Sequence, residues 1–262
     1  MTLLQAILLG FIEGITEFLP VSSTAHLLVA QRLLGISDPS EFFTVVVQLG
    51  AIAGLIVSEY SVLKTIILEF LQTTSQPQKI KDTMLVKLAV GSVPIVVVGF
   101  LLKDTIASFH SNFLLIAFMS VVVGVFLLIA QRMAGKKEVL VGHQRLFIMG
   151  LFQSIALLPG TSRSGITAAG GMVQGMNLSQ ALEYSFLLSI PALLLAGLYE
   201  MISLRGTALE PGLLELTALA SIVAFGCAIV SISFLRKSVR RVGFLPFVLY
   251  RFAFALFILF AL

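Results

Sequence analysis

The chain has no tryptophan, a single cysteine and few charges, and no lysine or arginine precedes Arg32. Each shortage removes a class of protein. Cys227 alone cannot form an intrachain disulfide, and the Cys-x-x-Cys spacing of a zinc or redox centre is missing. The first apolar run lacks a basic flank and carries Glu13 and Glu17, so it does not read as a cleaved secretory signal. Charged residues are 11% of the sequence, against roughly 25% in a soluble domain. With 58% hydrophobic residues and a mean hydropathy of +1.06, the composition is that of an integral membrane protein. Without tryptophan, any aromatic belt at the membrane interfaces falls to Tyr and Phe. The net charge of +4 does not indicate a nucleic-acid partner, because the basic residues cluster between apolar segments and there is no soluble basic domain.

Apolar segments long enough to cross a bilayer, about 20 residues each, recur near 42–58, 84–102, 112–131, 180–202, 212–235 and 242–262. Two further stretches, 3–34 and 144–176, are interrupted at Pro20 and Pro159, which leaves each half too short to span. They read as re-entrant helix-break-helix segments, because non-helical backbone at membrane depth survives only where protein buries it or it lines a cavity. The expected fold is a single all-α polytopic membrane domain over 1–262, with six spanning helices and two re-entrant segments. Lys64, Lys79, Lys81, Arg132, Lys136, Lys137, Arg145, Arg236, Lys237, Arg240 and Arg241 then fall in loops on one side, predicted to be cytoplasmic, with both termini outside. The breaks are related, since Pro20-Val-Ser22-Ser23 aligns with Pro159-Gly-Thr161-Ser162 at an offset of 159 − 20 = 139. Halves of roughly 1–135 and 140–262 would form inverted repeats that bring half-helix ends together near the midplane.

The breaks also hold the costly residues. An ionised side chain at the centre of a membrane helix costs roughly 2.5 to 3.5 kcal/mol on insertion scales, so such groups usually face each other or a wet cavity. Glu13 and Glu17, at i and i+4, share one helical face. They supply a proton donor and an acceptor, or a site for Mg²⁺ or Ca²⁺, or a structural pair neutralised by a buried arginine. Ser22, Ser23 and Thr24 stand where a helix should restart. One or two would cap it, and one could be a nucleophile with a glutamate or His26 taking its proton. In the second break, Gly160, Thr161, Ser162, Arg163 and Ser164 suggest an anion cradle, with free backbone N–H groups at a helix start and a guanidinium fork. An Arg163 ion pair with Glu13 or Glu17 is the bland alternative. Gln48, Ser185 and Ser189 could line the cavity or merely pack helices. Arg251, mid-way along the last apolar segment, requires a partner that the sequence does not name. His110 and His143 are expected in loops.

Glu13-Gly-Ile-Thr-Glu17-Phe-Leu-Pro-Val-Ser-Ser-Thr-Ala-His26 and Pro159-Gly-Thr-Ser-Arg163-Ser-Gly resemble the two signature motifs of bacterial undecaprenyl-diphosphatases of the bacitracin-resistance type. The resemblance runs nearly end to end, through Val47-Gln48-Leu49-Gly50, Ser185-Phe-Leu-Leu and Pro246-Phe-Val-Leu-Tyr-Arg251-Phe. It implies hydrolysis of undecaprenyl diphosphate to undecaprenyl phosphate, recycling the carrier lipid of cell-wall synthesis and conferring bacitracin resistance. It further implies a divalent cation, inverted repeats, and a site facing the outer side of the plasma membrane. Position by position, Glu13 and Glu17 match the acidic motif, Ser23 or Thr24 the candidate nucleophile, His26 the histidine and Arg163 the phosphate-binding arginine. Ala25 departs from the glycine common between Thr and His, which leaves the orientation of His26 in question. The expected partners are a polyprenyl diphosphate and membrane lipid, and the chain could pair as a homodimer. The competing reading is a secondary transporter or lipid flippase for an anionic substrate, since broken helices in inverted repeats also build transport sites.

Overall fold

In the computed structural model, residues 1–36, 41–109, 112–204 and 212–261 are described, and their regular structure is entirely helical. The helices are α1 (Leu3–Thr16), α2 (Ser23–Leu33), α3 (Glu41–Ser58), α4 (Tyr60–Thr73), α5 (Pro77–Ile80), α6 (Met84–Leu101) and α7 (Lys103–Phe109). They continue as α8 (Phe113–Met133), α9 (His143–Ile155), α10 (Arg163–Met172), α11 (Leu178–Ser203), α12 (Leu213–Val242) and α13 (Leu245–Ala261). Five of them, α3, α6, α8, α11 and α12, are long and apolar enough to cross a membrane. The sixth expected span corresponds to α13, which is apolar but only 17 residues long. Large side chains on these helices, such as Phe100, Leu114 and Phe118, stand exposed, as lipid-facing positions do.

Both interrupted stretches form a helix on either side of a short break, and the outer ends of each helix pair are hydrogen-bonded to one another. Gln5 Nε2 donates to the Leu34 carbonyl at 3.2 Å, which joins the beginning of α1 to the end of α2. At the foot of the second stretch, Arg145 Nη1 donates to the Gln174 carbonyl at 2.5 Å and Gln174 Nε2 donates to the Arg145 carbonyl at 3.1 Å. The hairpin tips meet, with Ser162 Oγ 3.4 Å from the Leu19 carbonyl oxygen.

Packing follows small residues. Helix α12 lies between α1 and α3, and Gly10, Gly14, Gly50 and Gly54 sit directly on its backbone or side chains. A Cβ on Gly54 would come 2.7 Å from the Phe225 carbonyl oxygen, so only glycine lets the helices approach this closely. Helix α6 contacts α9 and α11 in the corresponding manner, with Gly91 against Leu146. Helix α8 pairs with α13, and α3 with α11.

Several basic residues expected in loops are helical: Lys79 lies in α5, Arg132 in the last turn of α8 and Arg145 in the first turn of α9. Arg236, Lys237, Arg240 and Arg241 are not in a loop but in the last turns of α12. At 30 residues and about 1.5 Å per residue, this helix is about 45 Å long, which exceeds a hydrocarbon core of about 30 Å. It is therefore long enough to carry its basic end past an apolar layer of that thickness. Similarly, Lys64 belongs to α4, an amphipathic helix that buries only Ile66. Glu59, just beyond α3, forms a buried ion pair with Arg236. Burial pushes the Glu59 carboxyl above the ordinary range and Arg236 pulls it back down. His143 is the first residue of α9, its Nε2 2.8 Å from the Lys81 carbonyl, while His110 lies outside the described residues.

Candidate active site

The two restarts use the same backbone device. Ser22 precedes α2 with φ +75° and Ser162 precedes α10 with φ +69°, and they are the only non-glycine residues with positive φ among those described. Their separation is 162 − 22 = 140 residues, one more than the spacing of the two prolines. Such a conformation costs of order 1 to 3 kcal/mol for a residue with a Cβ and persists where the surroundings over-determine it. Here it turns the chain sharply into each helix, with the first backbone hydrogen bonds running from His26 N to the Ser22 carbonyl and from Ile166 N to the Ser162 carbonyl. The preceding N–H groups at each helix start are left without helical partners. Ser162 Oγ accepts from Gly165 N at 3.4 Å, whereas Ser22 makes no side-chain cap.

Glu17 lies between the breaks. Its Oε2 accepts from Ser23 Oγ at 2.5 Å, and its Oε1 is 3.5 Å from Arg163 Nη1. The serine comes from the first residue of α2 and the arginine from the first residue of α10, so one carboxylate links both tips. Glu17 is 7% exposed and Glu13, one turn earlier on α1, is 2% exposed. Glu13 Oε2 is buried without a hydrogen-bond partner, as is Arg163 Nη1. A water-sized recess of about 30 Å³ is bounded by Glu17, Ser22, Ser23, Thr24, Ser162 and Arg163, with Gly160 and the apolar Ala156 and Leu158 completing it. Polar and charged groups from both breaks therefore converge on one small recess.

Not every expected residue reaches this recess. Thr161 is fully buried with Oγ1 unpartnered, and Ser164 Oγ contacts Ser162 Oγ at 3.4 Å, so both stand behind the wall. Gln48, on α3, does not line it. Nor does His26. Its Nδ1 is 2.7 Å from the Ser22 carbonyl and its Nε2 2.7 Å from Tyr250 Oη, with Phe254 stacked on the ring at 4.0 Å. Because a carbonyl can only accept, Nδ1 carries the hydrogen. Both nitrogens are thus occupied away from Ser23 and Thr24, so this arrangement does not place the imidazole as their base. Ala25 is buried in α2 without positive φ, and the left-handed conformation belongs to Ser22 instead.

Sequence reasoning did not identify Tyr250, a residue in an apolar run whose role appears only when α13 lies beside α2. It did flag Arg251 but not its partners, which are backbone carbonyls. Nε donates to Ser120 O at 3.0 Å, Nη1 to Pro20 O at 3.2 Å, and Nη2 to Met119 O at 3.2 Å and Gly160 O at 2.8 Å. The intramembrane isolation of this arginine was the available signal; carbonyl partners leave no mark in composition or spacing.

With this geometry in hand, the comparisons with known proteins converge. Residues 6–257 match the family described as bacitracin resistance protein BacA. An undecaprenyl-diphosphatase of Bdellovibrio bacteriovorus is 36% identical over 267 aligned positions, covering 99% of this chain and 95% of the relative. An undecaprenyl-diphosphatase of Myxococcus xanthus is 34% identical over 259, covering 97% and 86%.

Proposed function

Because the chain belongs to the bacitracin resistance protein BacA family, we infer that it hydrolyses undecaprenyl diphosphate to undecaprenyl phosphate and inorganic phosphate. This returns the carrier lipid to cell-wall synthesis. The observation that carries the reaction chemistry is the Ser23 hydroxyl donating to Glu17 in a buried recess whose opposite wall is Arg163.

Ser23 Oγ attacks the terminal phosphorus as Glu17 takes its proton. The new Oγ–P bond forms as the bridging P–O bond breaks, and undecaprenyl phosphate leaves. Glu17 passes that proton to the departing phosphate oxygen, and the regenerated carboxylate then takes a proton from water as its oxygen attacks the phosphoserine, breaking the Oγ–P bond and releasing phosphate with Ser23 restored. Arg163 and the free N–H groups of both helix starts hold the negative oxygens, so positioning and charge stabilisation supply most of the acceleration. Arg163 exchanges Glu17 for phosphate when substrate enters. His26 does not take the proton; it steadies the Ser22 carbonyl beside the nucleophile.

Among the described residues no group of three or more His, Cys, Asp or Glu could hold a metal, so a divalent cation would fit here only with substrate oxygens and water completing a one- or two-carboxylate set. Glu13 presents a buried carboxylate oxygen without a protein partner beside Glu17, and Mg²⁺ commonly binds one or two carboxylates together with substrate phosphate oxygens and water. Glu13 would be the principal ligand, since Glu17 is engaged by Ser23 and Arg163. When bound, the cation offsets diphosphate charge.

We propose the following membrane arrangement. Six spans, counting α13, and two re-entrant hairpins entering from opposite sides form inverted repeats. The return bonds at Gln5–Leu34 and Arg145–Gln174 and the meeting of the tips support this reading. Basic ends at Arg236 to Arg241 lie on the cytoplasmic side, and the recess is reached from the outer side of the plasma membrane. The test is phosphate release from undecaprenyl diphosphate by detergent-purified protein with Mg²⁺. It includes trapping of labelled enzyme from substrate labelled in the terminal phosphate. Release that disappears in Ser23→Ala, with label retained by wild type alone, is expected. No release from folded wild-type protein would overturn the function, and release without labelled enzyme would replace Ser23 by water as the nucleophile.

A further inference from the structure

Arg251 is 1% exposed, the largest fully buried side chain among those described, and no carboxylate lies within ion-pair distance of it among the described residues. A buried cation without an anion is costly unless dipoles replace water. Four carbonyls do so here, and their identities are informative. Met119 and Ser120 belong to α8, which pairs with α13, so they fix the guanidinium to the scaffold. Pro20 and Gly160 belong one to each break.

Those two carbonyls have a specific place in helix geometry. An α-helix bonds the N–H of residue i to the carbonyl of residue i−4. Continued backwards by one turn, α2 would bond Thr24 N–H to Pro20, and α10 would bond Ser164 N–H to Gly160. Neither bond forms, and both acceptors are turned onto Arg251 instead. One planar fork thus takes the carbonyls that would otherwise consume donors at both helix starts, and it sets the distance between the two tips.

We propose that Arg251 is a positioning residue that builds the diphosphate cradle from behind: it holds the Pro20 and Gly160 carbonyls, leaving the Thr24 and Ser164 N–H groups free for the anion. It does not touch substrate. The inference rests on the reading of the two tips as the diphosphate site. Lysine keeps the charge but lacks the fork, and its compact ammonium cannot span carbonyls on three segments in the same way.

The experiment compares wild type with Arg251→Lys, Arg251→Met and Arg251→Gly in detergent, with size-exclusion profile and Tm measured for each. Activity is read as kcat and KM, and cradle integrity as inhibition by inorganic diphosphate. Folded Arg251→Lys is expected to lose about a hundredfold in kcat, the scale on which misaligned oxyanion donors act, and to bind inorganic diphosphate more weakly. Added guanidinium ion, but not methylammonium, should restore part of the activity of Arg251→Gly, an effect that a loss of general stability does not produce. Wild-type kcat and inhibition in Arg251→Lys would overturn the proposal, as would a folded but unrescued Arg251→Gly. Failure of all three variants to fold would also overturn it, making Arg251 a requirement of the fold. Absence of phosphate release by wild type in the same preparation would instead sink the phosphatase reading on which the inference rests.

Discussion

The two breaks share a backbone and divide the work. Ser22 and Ser162 adopt the same positive-φ turn into a helix, yet the first tip carries Glu17 and Ser23 while the second carries Arg163 and Gly160. Their helices are also covered differently. In α10 every residue from Ser164 to Met172 is buried, whereas α2 buries only Ser23, Ala25, Val29 and Gln31. Gly170 and Gly171 let α10 settle against Phe152 and Ala181. Under the proposed mechanism, a duplicated backbone would supply anion donors twice while the proton chemistry arises only once, and the tip that carries Arg163 is the better anchored.

Substitutions can break this division in order of expected effect. Glu17→Gln removes the proposed base and the carboxylate that contacts both tips, and kcat should fall by about a thousandfold or more in a phosphate-release assay, within the range of general acid-base groups. A residual rate above one tenth of wild type would show that the first tip does not own the proton transfer. Arg163→Ala should cost about a hundredfold in kcat/KM, with Arg163→Lys recovering only part because it lacks bidentate geometry. Full recovery by lysine would reduce the second tip to a point charge. Gly160→Ala combines φ +86° with a Cβ 2.5 Å from the Ile116 carbonyl oxygen. It should destabilise the protein by about 2 kcal/mol, read as a lower Tm. The smallest contrast is between the serines. Ser22→Gly relieves strain without losing a cap and should leave stability within about 1 kcal/mol or raise it slightly, while Ser162→Gly also loses the bond to Gly165 N and should not exceed it. Equal Tm changes would mean that the Ser162 cap contributes nothing.

Much of this arrangement was legible in the chain. The breaks at Pro20 and Pro159 stand out because polar residues interrupt apolar runs too short to span, and the cost of burying Glu13, Glu17 and Arg163 points to one shared site. Pairing of Arg163 with Glu17, the bland alternative, is present in the structure, and Glu17 accepts from Ser23 through its other oxygen. What stayed hidden depends on which helices become neighbours. The short distance from Thr24 to His26 suggested a base, but side chains along a helix point in different directions, and that of His26 meets α13 rather than the recess. Likewise, hydropathy located the apolar part of α12 but not its end, since Arg236 to Arg241 continue the same helix in a charged face.

The meeting of opposed hairpins has a consequence for how the protein is made. Nothing catalytic is complete when the first tip emerges from the ribosome, because Arg163 lies well over a hundred residues downstream of Glu17. If Arg251 aligns the tips, completion waits further, until α13 enters the bilayer. A chain cut before α13 would then hold its glutamates and serines as an inert half, and competence would arrive only with that helix.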